Sequence, residues 1–300
     1  MKAVRLQLPA TSANLGPGFD ALALALELFL EIEAAPAPAF SIHATGRSAE
    51  ICGRLEKNLL IETYSSILSA ERRPVTPLAI RMKNDIPLGM GCGSSAAVRL
   101  ASVALAAHFG ALSWSSNRIV EEAARLEGHP DNVAACWFGG LTIAAGGEAN
   151  LATVSLSPPA DWRATLVLPE QPVETSKSRA VLPESYSRTD AITNVQNVAL
   201  LTAAFALRRA DLLVLATQDA LHQPYRMDLC PLLPALLPLA GRNGVLSVTL
   251  SGAGPAVLLL STGDSFQLDR EIRQYSQVVG PVEIVESCLW GEGASTNFLG

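Results

Sequence analysis

The stretch Pro87-Leu88-Gly89-Met90-Gly91-Cys92-Gly93-Ser94-Ser95-Ala96-Ala97 constrains this chain more than any other. Glycines at positions 89, 91 and 93 remove every second Cβ, so backbone N–H groups can close on an anion. Ahead of the loop, Leu78, Ile80 and Met82 alternate with Arg81 and Lys83, the pattern of a half-buried strand. Behind it, Ser94 and Ser95 open an alanine-rich run that Gly110 would end, the pattern of a helix. Unpaired N–H groups and the positive dipole end of that helix then face the loop, which makes a phosphate site. The hydroxyls can add hydrogen bonds or one ligand to a magnesium ion, and the small alanines let the loop fold over the helix. No lysine follows the last glycine, so this is not a Walker A loop, and the spacing is not G-x-G-x-x-G. A plain glycine turn with a serine N-cap is the competing reading.

Two further segments add weight to the ligand-binding reading. Glu127-Gly128-His129-Pro130-Asp131-Asn132-Val133 follows a predicted helix over 117–126, with Gly128 as its left-handed terminator. Glu127 there faces the negative end of the helix dipole, unfavourable by about 0.3–1 kcal/mol, and a cation such as Mg²⁺ reverses that penalty. By itself such a glutamate is simply solvated. Ser251-Gly252-Ala253-Gly254-Pro255 joins apolar strands predicted at 245–250 and 256–260. On its own it reads equally as a plain hairpin.

The remaining chain is globular in composition, with 49% apolar and 17% charged residues. Its 300 residues suffice for one large domain or two ordinary ones. A net charge of -6 argues against nucleic acid as a partner, because phosphate binding over a wide surface needs a basic excess. The N-terminal segment lacks signal-peptide architecture, and the apolar run 21–30 carries Glu27 and is too short to span a bilayer. Five scattered cysteines and four isolated histidines show no metal or redox spacing. The expectation is a reduced, cytoplasmic protein with no structural metal.

Val4, Leu6 and Leu8 alternate as a strand; 21–33 suits a strand or strand pair, although its Ala/Leu richness also suits a helix. Helices are predicted at 59–70, 191–209 and 211–220. Proline and acidic residues cluster at 157–162, which places a boundary near there and divides the chain into 1–155 and 156–300. Strands and helices mix without regular βαβ repetition, which favours an α+β class.

Pro9-Ala10-Thr11-Ser12-Ala13-Asn14-Leu15-Gly16-Pro17-Gly18-Phe19-Asp20, the loop 87–97 and Leu250-Ser251-Gly252-Ala253-Gly254-Pro255, in this order, resemble motifs of one enzyme superfamily. It comprises the galactokinases, homoserine kinases, mevalonate kinases and phosphomevalonate kinases. The first segment and Glu127 to Val133 resemble the homoserine kinase branch. The resemblance implies a two-domain GHMP-kinase fold, with a ribosomal protein S5 domain 2-like N-terminal half and a ferredoxin-like C-terminal half, and the site in the cleft between them. It implies ATP on residues 87–97 with the adenine near Asn58 and Lys83, and Mg²⁺ held by Ser95 and Glu127. It implies L-homoserine near Asn14, Asp20, His129 and Asn132, with Asp20 on its ammonium group and Arg179 and Arg226 on its carboxylate.

Other branches place an aspartate base beside the acceptor hydroxyl. Here that position resembles Asn132, which takes no proton, so the resemblance implies catalysis by positioning, with Asp131 as the alternative base. The family usually has leucine where this chain has Cys92, and a thiol beside the triphosphate would invite alkylation unless burial makes it inert. A superfamily kinase with another small alcohol acceptor and a non-catalytic nucleotide-binding regulator are the rival readings. A homodimer is expected from the resemblance alone.

Overall fold

The computed structural model describes residues 3–146, 150–173, 175–263 and 265–294. Among these residues ten strands form two sheets. The first contains β1 (Val4–Asn14), β2 (Gly18–Pro36), β3 (Ser41–Gly46), β4 (Leu78–Asn84), β5 (Leu141–Ala145) and β6 (Ala152–Leu156). Its order is β3-β4-β2-β5-β6, with β1 also paired to β2. The second contains β7 (Arg163–Pro169), β8 (Val245–Leu250), β9 (Val257–Ser261) and β10 (Val282–Cys288), in the order β10-β7-β9-β8. Among the described residues only β3 and β4 pair in parallel, and every other pairing is antiparallel. This is an α+β arrangement.

The ambiguous 21–33 segment resolves as one long strand. Along one edge β2 pairs with β1 over nearly its whole length; along the other it pairs with β5 at Leu22–Leu24 and with β4 at Leu30–Pro36. Leu30, Ile32 and Ala34 face the core while Glu31 and Glu33 alternate outward, a period of two that no helix presents. Pairing on both edges therefore overrides the helix propensity of alanine and leucine.

Helices Leu59–Ala70, Ser94–Phe109, Ser116–Glu127 and Asp131–Phe138 pack together against the first sheet. Asn58 starts the first of these, its side-chain oxygen accepting from the N–H groups of Leu60 and Ile61. Gly110 caps Ser94–Phe109, and Gly128 ends Ser116–Glu127 at φ 87°. The Ser94–Phe109 helix is central, with Ala96, Ala97, Leu100, Ala101, Val103, Ala104 and Leu105 essentially inaccessible. Its alanines allow the close approach to β1 that brings the glycine loop over the sheet end.

In the second half a helix spans Arg188–Ala206, close to expectation. The helix expected at 211–220 does not form as one element. A 3₁₀ turn at Ala210–Leu212 leads into Leu213–Ala216, and the chain then turns. The buried Asp219 carboxylate is the reason. It accepts from the N–H groups of Leu221, His222 and Gln223 and so starts a new short helix, Gln223–Arg226. After β10 the chain returns to the first half, where the Gly140 N–H donates to Trp290 O and the Ala294 N–H to Cys136 O. Among the described residues no helix is long and apolar enough to cross a membrane.

Candidate active site

The three glycine motifs, far apart in sequence, meet in one hydrogen-bonded junction. Ser251 Oγ donates to Gly91 O at 2.9 Å and lies 2.8 Å from Ser12 Oγ. Asn14 Nδ2 donates to Gly252 O at 2.9 Å, and the Ala256 N–H donates to Met90 O at 3.2 Å. Gly91 and Gly93 are required here. Both have positive φ, and a Cβ at Gly91 would lie 2.1 Å from Ser251 O, one at Gly93 2.0 Å from Thr11 Oγ1.

A cleft of about 190 Å³ opens at this junction, room for part of a small molecule. Gly89, Gly91, Cys92, Gly93, Ser94 and Ser95 line one wall. Pro87 and Leu88 lead into the loop, Met90 ties it to Ala256, and Ala96 and Ala97 are buried beneath it. Asn14, Asp20, Glu127, His129, Asp131, Asn132, Arg179 and Arg226 are among the residues that line the rest. Asn58 and Lys83 stand outside it. Asn58 is occupied as a helix cap and by Cys52 O and Arg54 O, while Lys83 pairs with Glu31 and Asp85 beside a separate surface hollow.

At the loop end, Ser95 Oγ donates to Glu127 Oε2 at 2.9 Å. Arg99 Nε lies 2.7 Å from the same oxygen, close enough for an ion pair but poorly aligned for a hydrogen bond. Sequence reasoning passed over Arg99, although its i+4 spacing from Ser95 places the two on one helix face. Hydroxyl and carboxylate oxygens are the hard donors a magnesium ion takes, so this pair fits such an ion. Among the described residues no cluster of three His, Cys, Asp or Glu could hold a metal unaided. An ion here would thus share its ligands with phosphate oxygens and water.

The opposite wall is rich in charge. Arg179 binds Asp20 through two bonds, Nη1 to Oδ2 at 3.1 Å and Nη2 to Oδ1 at 2.7 Å. The two groups assigned to opposite ends of an amino acid therefore pair with each other here. Asp20 sits at φ 55° and Asn14 at φ 72°, with the Asp20 N–H bonded to Asn14 Oδ1 at 3.1 Å. Such conformations persist only where surrounding contacts enforce them. Arg226 is 1% exposed, and among the described residues it bonds only neutral acceptors, Ser178 O, His222 Nδ1 and Gly252 O. Burial, and then the nearby Arg179, lower its pKa from the ordinary value. Both guanidiniums lie over the Phe19 ring, at 5.6 Å for Arg179 and 5.4 Å for Arg226.

At the start of Asp131–Phe138, Asn132 Oδ1 accepts from Thr11 Oγ1 at 2.6 Å. Asp131 Oδ1 accepts from the Asn132 N–H at 2.6 Å and meets His129 Nδ1 at 2.8 Å. Burial opposes charge on His129, but the Asp131 carboxylate outweighs it and holds the imidazole above its ordinary value. Cys92 is 1% exposed, and burial pushes its thiol up to about 12. The thiolate is thereby suppressed, which answers the concern about alkylation.

Comparison with known proteins follows the same line. The family model described as GHMP kinases N terminal domain matches residues 58–140, and that described as GHMP kinases C terminal matches 200–275. A homoserine kinase of Solibacter usitatus is 44% identical over 259 residues, 85% of this chain and 84% of the relative. One of a Synechococcus species is 36% identical over 271 residues, 89% of each chain. The crystal structure of homoserine kinase from Cytophaga hutchinsonii superposes with a TM-score of 0.82 at 25% identity, covering 98% of this chain and 97% of that one. Galactokinase of Lactococcus lactis, at 15% identity and a TM-score of 0.70 over 97% of this chain and 94% of its own, shares the fold. With the glycine junction, the cleft and these relatives together, the chain belongs to the GHMP kinase family.

Proposed function

We propose that this chain transfers the γ-phosphoryl group of ATP to the side-chain hydroxyl of L-homoserine, giving O-phospho-L-homoserine and ADP, a step toward threonine. The observation that carries the acceptor reading is the buried Arg226. Among the described residues it has no carboxylate at ion-pair distance, and it stands beside an Asp20–Arg179 pair that balances only itself. The buried Asp219 acts on Arg226 only through space and is bonded to three backbone N–H groups, so the guanidinium itself is open to an anion. A zwitterionic acceptor matches this wall, its ammonium group taking Asp20 and its carboxylate bridging Arg179 and Arg226.

The protein's part in the transfer is alignment and charge neutralisation. The loop N–H groups and the Ser94 helix end face the phosphates, and Asn14, Asp20 and the arginines fix the acceptor. When bound, Mg²⁺ on Ser95 and Glu127 supplies further neutralisation of phosphate charge. Asn132 takes no proton, and Asp131 is already engaged by the Asn132 N–H and His129. The new O–P bond therefore forms as the bond to ADP breaks, with the hydroxyl proton leaving to the transferred phosphate or to solvent.

In the same proposal the chain divides between residues 155 and 156, works in the cytoplasm and assembles as a homodimer. The adenine position beside Asn58 and Lys83 is retained only as an expectation of the resemblance, since both side chains are engaged elsewhere. A coupled ADP-release assay tests the function, comparing L-homoserine with mevalonate, galactose, shikimate and no acceptor. Turnover confined to L-homoserine is expected. Turnover with mevalonate, galactose or shikimate instead refutes the acceptor assignment.

A further inference from the structure

Arg226 is held on one side by a histidine that neither the phosphate loop nor the transfer step uses. His222 is fully buried on the turn before the Gln223–Arg226 helix. Its Nε2 lies 2.8 Å from Gly16 O. A carbonyl oxygen only accepts, so Nε2 carries the proton. Its Nδ1 lies 3.0 Å from Arg226 Nη1, and a guanidinium only donates, so Nδ1 presents its lone pair. The two contacts together define a neutral imidazole in a single tautomer. Burial, the largest influence on the ring, favours the same neutral form.

The ring has a second attachment. It stacks on Phe19 at 5.2 Å with an interplanar angle of 22°, and Phe19 lines the cleft beneath both arginines. Ser178 O and Gly252 O take the remaining bonds of Arg226. Among the described residues no acceptor engages Nη2, which is left for a ligand in the cleft.

We propose that His222 is a positioning residue for acceptor recognition: its Nδ1 lone pair aims the Arg226 guanidinium at the acceptor's carboxylate, and its Nε2–H anchors that arrangement to the N-terminal motif at Gly16. The inference rests on the amino-acid acceptor reading above. Its consequence is selective. Loss of the Nδ1 acceptor weakens binding of the amino acid and leaves the phosphate loop alone.

Three substitutions separate the two ring nitrogens. His222→Phe keeps a ring on Phe19 and removes both nitrogens. His222→Gln places an amide near the Nε2 position, keeping a donor for Gly16 O and losing the acceptor for Arg226. His222→Asn places its amide oxygen near the Nδ1 position and keeps that acceptor. Losing a hydrogen bond to a charged group corresponds to about tenfold to a hundredfold in affinity. KM for L-homoserine is therefore expected to rise at least tenfold in the Phe and Gln variants, with KM for ATP within about twofold and kcat within about threefold. The Asn variant is expected to return KM for L-homoserine to within about threefold of wild type.

Unfolding midpoints check that each variant is folded, and if the Phe variant is not, the Gln and Asn pair carries the comparison. Equal KM values for Gln and Asn overturn the proposal, as does a parallel change in both substrates' KM values. Failure of the function reading is seen separately, because it shows in the wild-type protein as absent turnover with L-homoserine before any variant is made.

Discussion

Gly91→Ala and Gly128→Ala place the same methyl group on glycines with nearly the same backbone, φ 79° and 87°. Each adds about 1–2 kcal/mol for an L residue in the left-handed region. Their surroundings differ. Nothing lies within 4 Å of a Cβ at Gly128, whereas one at Gly91 would be 2.1 Å from Ser251 O and 2.9 Å from Gly254 O. Both atoms are backbone, so no rotamer change relieves the clash and the two motifs must part. Parting them endangers the bonds from Ser251 Oγ to Gly91 O and from the Ala256 N–H to Met90 O. At about 0.5–1.5 kcal/mol each, these bring the Gly91 total to about 2–5 kcal/mol. Urea unfolding followed by tryptophan fluorescence should find Gly128→Ala destabilised by about 1–2 kcal/mol and Gly91→Ala by at least about 1 kcal/mol more. KM for ATP should rise for Gly91→Ala. Equal destabilisation of the two variants would refute the claim that the loop is locked by the Ser251 motif.

Asp131→Asn should keep kcat within about tenfold, because the amide oxygen still accepts the Asn132 N–H. Removal of a general base typically lowers the rate about 10²–10⁴-fold, and a fall of that size in a folded variant would reinstate Asp131 as the base. Iodoacetamide on the native protein should label the exposed Cys288 well before the buried Cys92, with activity retained, as peptide mapping after a timed quench would reveal. Arg47 and Glu283 form an ion pair joining the end of β3 to β10 across the two sheets, and Arg47 holds the Glu283 carboxyl below its ordinary value. A lowered folded pKa stabilises above the ordinary glutamate value, and that contribution disappears as pH falls through the folded one. Both side chains are at least one-third exposed, so Glu283→Gln should lower stability by no more than about 1 kcal/mol at pH 7, with the difference vanishing in acid. A difference that grows in acid would contradict this sign.

Much of the site was readable from local sequence because its parts are local. A glycine loop between a strand and a helix needs only neighbouring residues to create unpaired N–H groups, and 78–84 and 94–109 follow directly. Glu127 and Gly128 likewise declare a helix end through short-range geometry. Arg99 could have been found by the same means, one helical turn beyond Ser95.

Other features depend on partners that no window of sequence contains. Residues 21–33 became a strand because β1, β4 and β5 pair with β2 on both edges. The helix expected at 211–220 gave way because the buried Asp219 carboxylate found three backbone donors beyond it. Thr11 on Asn132, Phe19 under two arginines, His222 against Gly16 and the Asp20–Arg179 pair all join the N-terminal motif to distant segments. Propensity, periodicity and capping act over a turn or two of chain and identify which residues bear chemistry. Which of them face one another is decided by the packing of two sheets around a shared junction, where burial penalises charges and hydrogen-bonding groups left without partners.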